Sequence, residues 1–157
     1  MALTREEIKN NYPLPVYNYT VEIAGEAVGF SEVSGLNVSY EKTTYKESRT
    51  ESGIPGPRLI QMPAQATPPT LTLKKGLVKK KSLPVFYQWI RTTQTNQVEK
   101  KDIAIRLCDE KGNAVISWTV LNAFPTKLDA PSFTADSNDA AIESLELAAD
   151  EVLIEEV

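Results

Sequence analysis

Three carboxylates lie close together near the end of the chain, Asp136, Asp139 and Glu143, in the run "DSNDAAIE". Two carboxylates at a set separation can cleave a glycosidic bond, one as acid and the other as base or nucleophile. The same oxygens could bind calcium. Neither pattern is complete here: the spacing lacks the regular D-x-[DN]-x-[DN]-G form, and acids beside a turn are ordinarily solvated. The rest of the chemical inventory is shorter. There is no histidine, and Cys108 is the one cysteine. This excludes an internal disulfide, a CxxC redox pair, a His-ligated zinc site and any His-activated nucleophile within the chain. "GIPGP" lacks the Lys and Ser/Thr of a phosphate-binding loop. Cys108, in "IAIRLCD", reads as a small buried strand residue. The reading is a non-enzyme with no catalytic residue, cofactor or metal.

The lysines offer something else. "LKKGLVKKKS" places Lys74, Lys75, Lys79, Lys80 and Lys81 within eight positions. Read blandly, this is a solvated loop before a helix. Read functionally, it is a docking patch for an acidic surface. The C-terminal part supplies one, in Glu143, Glu146, Asp150, Glu151, Glu155 and Glu156. Opposite charges split between two parts of one chain permit self-complementary assembly.

The elements that must position these groups are mostly strands. A chain of 157 residues with 41% apolar and 24% charged residues has ordinary globular composition and fits one domain. The net charge of −4 speaks against general nucleic-acid binding. "MALTREEIKNNYPLP" lacks the basic and apolar regions of a secretion signal, so synthesis as a soluble cytoplasmic protein is expected. No apolar run approaches the roughly 20 residues that span a bilayer, so insertion into a membrane is not expected.

Thr4 and Glu7 have the form of a capping box, predicting a short helix over about 4–10 within an N-terminal segment 1–13, stopped by Pro13 and Pro15. Tyr17, Tyr19, Val21 and Ile23 alternate with polar residues, as in a half-buried strand. Two more strand-like runs follow, and in them Val38 and Tyr40 are expected to bury one face. "RTESGIPGPRLIQMPAQATPP" holds five prolines and predicts a loop, or the tip of a ribbon at a sheet edge, within an extended hairpin or loop over about 40–70. Ser82, Pro84, Phe86, Trp89 and Ile90 predict the main helix, over about 82–95. Residues 103–121 read as a hairpin turning at Asp109–Asn113. Periodicity leaves 141–156 open between helix and strand. The sum is a mainly β protein, an antiparallel barrel or sandwich of about seven strands with one main flanking helix and a long hairpin.

"YNYTVEIAGEAVGFSEVSGL", from Tyr17 to Leu36, resembles the start of the contractile-tail tube protein family. These are the inner-tube proteins of contractile phage tails and of phage-tail-like injection systems. Four later segments agree in order: Glu41 with Tyr45-Lys46, "LTLKKGLV" with Trp89 after it, the block "IRLCDEKGNAVISWTVLNAFPTKLDAP", and the closing "AIESLELA". The resemblance covers about residues 14–149. It departs at a longer, proline-rich hairpin tip and at the end, where "ELAADEVLIEEV" stands in place of "ELAHEGL".

The resemblance implies a self-associating structural protein. Six copies would form a ring, and rings would stack into a hollow tube inside a contractile sheath. Partners would be a sheath protein, baseplate or tube-initiator and tube-cap proteins, and lumenal cargo, either protein effector or DNA. The particle would be a phage tail or a phage-tail-like assembly. An initiating or capping subunit, or a type VI-like secreted ring, is the alternative on the same fold. The hairpin tip, about Tyr45 to Pro63, would reach a neighbouring subunit or ring. The candidate contact residues are Tyr45, Lys46, Ile54, Pro55, Leu59, Ile60 and Met62 of the hairpin, Lys79, Lys80 and Lys81, and Glu151 and Glu155.

Overall fold

The computed structural model describes residues 2–48, 53, 55–80, 83–93 and 97–157. The expected capping box is formed. Thr4 Oγ1 accepts from the Glu7 N–H at 3.2 Å, and Glu7 Oε2 accepts from the Thr4 N–H at 2.8 Å. Helix α1 then spans Arg5–Asn11 and ends at Tyr12, just before Pro13. None of its residues is buried.

Two antiparallel layers enclose the core. The first holds β1 (Tyr19–Ile23), β2 (Glu26–Val28), β7 (Lys101–Cys108), the first half of β8 (Ala114–Asp129) and β10 (Glu151–Glu156), in the order β2-β1-β7-β8-β10. The second holds β3 (Glu32–Ser34), β6 (Thr70–Gly76), β9 (Ile142–Ala148) and the second half of β8, in the order β8-β9-β6-β3. Val21, Ile103, Ile105 and Val120 from the first layer meet Leu71, Leu73, Leu145 and Leu147 from the second. Removing each such side chain from water contributes about 1.5–3 kcal/mol.

One strand serves both layers because it bends at Asn122. Between Val120 and Ala123, β8 holds one more residue than β7 does between Ile103 and Lys101. Such a bulge bends and twists its strand. Asn122 takes the left-handed conformation there, at φ 54°, which Asn tolerates better than most residues. Its N–H donates to Asp102 Oδ1 at 3.0 Å and its Nδ2 donates to Asp150 Oδ2 at 2.8 Å, so β7 and the β9–β10 junction are both tied to the corner.

The motif "GFSEVSGL" has a steric explanation at Gly35. This residue has φ +89°, and a Cβ on it would lie 2.1 Å from the Thr70 carbonyl oxygen. Only glycine lets the chain leave β3 across the start of β6. Tyr19 Oη donates to the Phe30 carbonyl at 2.5 Å, tying β1 to the approach to β3.

The main helix is shorter than its sequence predicts. A π-helical turn at Leu83–Tyr87 runs into α2 (Gln88–Ile90). Ser82 and residues 94–96 lie outside the described residues. Thr92 and Thr93 donate their N–H groups to the carbonyls of Trp89 and Ile90, three residues back, and Thr92 Oγ1 also bonds the Trp89 carbonyl at 2.6 Å. This tightens and closes the helix. The expected apolar stripe is present, with Phe86 and Trp89 fully buried. Phe86 stacks on Phe30, and Trp89 Nε1 donates to the Glu99 carbonyl at 2.7 Å.

Among the described residues the strands number ten, where the sequence suggests about seven. β2 and β3 are three residues each. The ambiguous 141–156 is two strands, β9 and β10, split at Ala149-Asp150. The proline-rich stretch also contributes a strand: β5 (Pro57–Thr67) pairs with β4 (Ser39–Ser48) in a separate two-stranded arm. Each strand of a two-stranded ribbon is an edge, so Pro63 can sit in β5 opposite Lys42.

Candidate assembly surfaces

The arm is long and nearly all exposed. At about 3.3 Å per residue, its ten- and eleven-residue strands reach roughly 33 Å. No second layer covers it, so the expectation that Val38 and Tyr40 bury one face fails; they are 56% and 66% exposed. An isolated two-stranded hairpin is marginally stable in water.

Its register sorts the predicted residues onto two faces. Thr43 opposes Met62, Tyr45 opposes Ile60, and Glu47 opposes Arg58. Strand alternation puts these six on one face, with an apolar patch of Tyr45, Ile60 and Met62. The other face carries Lys42 opposite Pro63, Thr44 opposite Gln61, Lys46 opposite Leu59, and Ser48 opposite Pro57. The sequence expectation treats Tyr45 to Pro63 as the tip. In the structure Tyr45–Ser48 and Pro57–Pro63 are paired strand, because cross-strand packing outweighs the proline penalty on an edge. Pro55 lies in the connection, beside Lys46 and Pro57 in a shallow cleft. Ile54 and Lys81 lie outside the described residues.

The charged candidates do not meet within one chain. β6 runs from Thr70, opposite Ala148, to Gly76, opposite Ile142. Lys79 and Lys80 follow its far end and are exposed. Glu151 begins β10 three residues after Ala148, at the near end, and Glu155 follows along that strand. A seven-residue strand, roughly 23 Å, separates the two groups. Glu151 therefore follows the opposite end of the β6–β9 pair from Lys79 and Lys80, while Glu155 lies opposite Ser117 in the first layer.

The alternative chemistry is dispersed. Glu143 is buried in β9 opposite the buried Lys75, continuing the inward rows Leu71–Leu147 and Leu73–Leu145. Asp136 and Asp139 are exposed in the loop before β9. Among the described residues no group of three or more His, Cys, Asp or Glu side chains is placed to hold a metal. Cys108 is buried at the end of β7, as its sequence setting predicts. Among the described residues no helix is long and apolar enough to cross a membrane.

Asp109 closes the β7–β8 turn. Its Oδ1 accepts from the Asn113 N–H and the Lys111 N–H, both at 2.9 Å. The bond from Asn113 is the main reason its carboxyl is held below the usual range, with burial working against it and Lys111 and Lys9 assisting.

A family model described as T4-like virus tail tube protein gp19 matches residues 15–153. The chain belongs to this tail tube family. The tail tube protein is also similar, at 38% identity, to a chain of the PVC sheath-tube complex of an extracellular contractile injection system in its extended state. That likeness covers 99% of this chain and 100% of the other, with a TM-score of 0.88. A chain of the anti-feeding prophage cap, the AFP tube terminating cap, is 40% identical over the whole of both chains, with a TM-score of 0.84. A chain of the AFP baseplate shares the fold, at 20% identity and a TM-score of 0.71 over 87% of this chain and 90% of that one. No curated protein sequence matches.

The sequence offers Tyr45, Leu59, Ile60 and Met62 together as contact candidates; only the register separates Tyr45, Ile60 and Met62 from Leu59.

Proposed function

We propose that this chain is a structural subunit of the inner tube of a contractile injection particle. Six copies close into a ring, rings stack into a hollow tube, and sheath contraction drives the tube through a target envelope. The chain performs no catalysis of its own. The observation that carries this reading is the end-to-end likeness to a chain of a sheath-tube complex. That the likenesses near 40% identity come from injection systems favours such a particle over a phage tail. Sheath, cap and baseplate proteins are the proposed partners, since similar chains occur in complexes with those components.

The physics of the surfaces supports it. β2, β3 and β10 end their layers with one unpaired edge each in the single chain. Such edges invite pairing, and ring closure satisfies them. Lys79 and Lys80 at one end of the β6–β9 pair and Glu151 after the other suit a head-to-tail contact, which stacks without closing. The outward face of the first layer carries small and polar residues around β1 and β7, with Leu121 and Leu153 toward β10. Glu22 pairs with Arg106 at 2.8 Å, and Thr20, Ala104, Ser117 and Thr119 lie around them. This face is proposed to line the channel, where Glu22 neutralises Arg106, so that Arg106 offers no free cation for anionic cargo to adhere to.

Ile60→Asp tests the assembly role of the arm. It puts a charge on a surface that packs on no core residue, so thermal unfolding of the subunit should stay within a few degrees of wild type. Incorporation into particles, read by electron microscopy of cells making all components, should be lost. Normal tube length with Ile60→Asp would overturn the role of the arm.

A further inference from the structure

Two buried charges end the leucine rows of the second layer. β6 and β9 pair from Thr70–Ala148 to Gly76–Ile142, and their inward row reads Leu71–Leu147, Leu73–Leu145 and Lys75–Glu143. Lys75 is 6% exposed and Glu143 is 7% exposed. Taking charges out of water is costly, and apolar residues of similar volume often serve stability as well or better. The pair therefore calls for a reason other than stability.

The ladder around it supplies one. β3 and β6, with the whole arm between them, join the rest of the second layer through the pairing of β6 with β9, since β3 ends the order β8-β9-β6-β3. A slip of one residue in that pairing turns every leucine outward and is excluded on that ground. A slip of two residues keeps both faces. In one direction it sets Leu73 opposite Leu147 and Leu71 opposite Ala149, which is also buried. On the outer face the same slip sets Lys74 opposite Glu146, a pair of opposite charges, and leaves the Lys74–Glu32 ion pair intact because β3 moves with β6. The leucines and the outer charges thus discriminate poorly against it. The inward charges discriminate strongly, because Lys75 comes to face Leu145. In the other direction Glu143 comes to face Leu73. The Tyr19 bond to the Phe30 carbonyl and the Phe30–Phe86 stack also resist a slip, but they act on the approach to β3, one strand removed from the ladder.

We propose that Lys75 and Glu143 are a register key. Their burial opposite each other admits one alignment of β6 on β9 and rejects the alignments two residues away. At about 3.4 Å per residue, such a slip would carry β3, β6 and the arm about 7 Å along the sheet. The key therefore sets the height at which the arm leaves the sandwich, and sets it alike in every copy, as a repeating assembly needs. It belongs to the single chain and holds whether or not the chain forms tubes.

Cross-strand disulfides in the purified chain, in a Cys108→Ser background, test the key. Opposed Cα atoms lie about 4.5–5.5 Å apart, within disulfide reach, and diagonal neighbours about 7–8 Å, outside it. Thr72→Cys/Glu146→Cys reads the observed register, and Thr72→Cys/Ala148→Cys reads the slipped one. With Lys75 and Glu143 present, oxidation should close the first pair alone. In Lys75→Met/Glu143→Leu both alignments set three apolar pairs inward, at 71–147, 73–145 and 75–143 or at 73–147, 75–145 and 77–143. The slipped disulfide should then close as well, while the urea midpoint stays at or above wild type. Either single change should lower the folded-to-unfolded ratio by at least about a hundredfold, since it takes the opposing charge from a buried one. A folded double variant that closes the observed pair alone overturns the proposal. If the double variant does not accumulate folded, Lys75→Glu/Glu143→Lys decides. Recovery of stability over both single variants, with the observed disulfide alone, upholds the key, and stability no better than theirs overturns it.

Discussion

Asn122 donates its side-chain amide to Asp150 at 2.8 Å across the corner where β8 passes from one layer to the other. The bond joins the two halves of the sandwich at the point where a single strand changes sheets. The same residue carries a left-handed backbone and a second bond to Asp102. Everything the protein presents for assembly hangs from this frame: the arm between the second layer's strands β3 and β6, the lysines after β6, and the acids of β10.

Asn122→Ala should lower unfolding stability by about 1–3 kcal/mol, since it loses a hydrogen bond and keeps the positive φ. Asn122→Gly should cost less, because glycine relieves the backbone while losing the same bond. Urea denaturation of both variants checks the order. Equal losses would show that the backbone conformation contributes nothing.

Gly35→Ala should be among the most damaging single changes. Its added carbon would meet the Thr70 carbonyl oxygen at 2.1 Å, in a conformation that L-residues avoid. A loss beyond about 3 kcal/mol, or failure to accumulate as soluble protein, is expected. Gly29→Ala is the control, since a Cβ there meets nothing within 4 Å and no positive φ is required. Soluble yield and thermal unfolding of the two variants separate steric need from general intolerance of the motif.

Acid should weaken the fold partly through Asp109. Its folded-state carboxyl is held below the ordinary value by N–H donation from Asn113. A depressed folded value stabilises above the unfolded value of about 3.9 and is lost as pH falls through the lower folded value. Glu7 behaves in the same sense at the N-terminal cap, through the Thr4 N–H. Asp109→Asn should therefore narrow the stability difference between pH 7 and pH 3. Unfolding curves at the two pH values measure it, and an unchanged difference would remove Asp109 from the account.

Glu22→Lys should leave rings intact and slow loading or release of anionic cargo. The substitution breaks the ion pair with Arg106 and places two cations side by side on the proposed channel face. Unchanged cargo content in purified particles would show that this face does not meet the cargo.

Much of this frame is legible in the sequence, for local physical reasons. The Thr4–Glu7 box, the alternation of Val21 with Ile23, the 103–121 hairpin and the burial of Cys108 each depend on residues within a few positions of one another. What is not legible depends on long-range pairing. Five prolines leave 49–69 open between a loop and the tip of a ribbon, and Pro57 and Pro63 lie in the ribbon itself because β4 is a partner with no further neighbour. The helix falls short of residue 95 because Thr92 and Thr93 fold back on Trp89 and Ile90, a choice that periodicity does not register. Leu145 and Leu147 fit two periods, and only pairing with Leu71 and Leu73 decides for a strand. Of the assembly surfaces, the charges can be read directly. The apolar residues of the arm can be read as well, but not which of them share a face, since that exists only once a register is set.

The most direct test of the central claim is electron microscopy of the purified wild-type chain, alone and together with the sheath and baseplate proteins of its particle. The account predicts hollow rings or tubes of uniform diameter, with or without those partners as nuclei. A uniform monomer in both samples would contradict it.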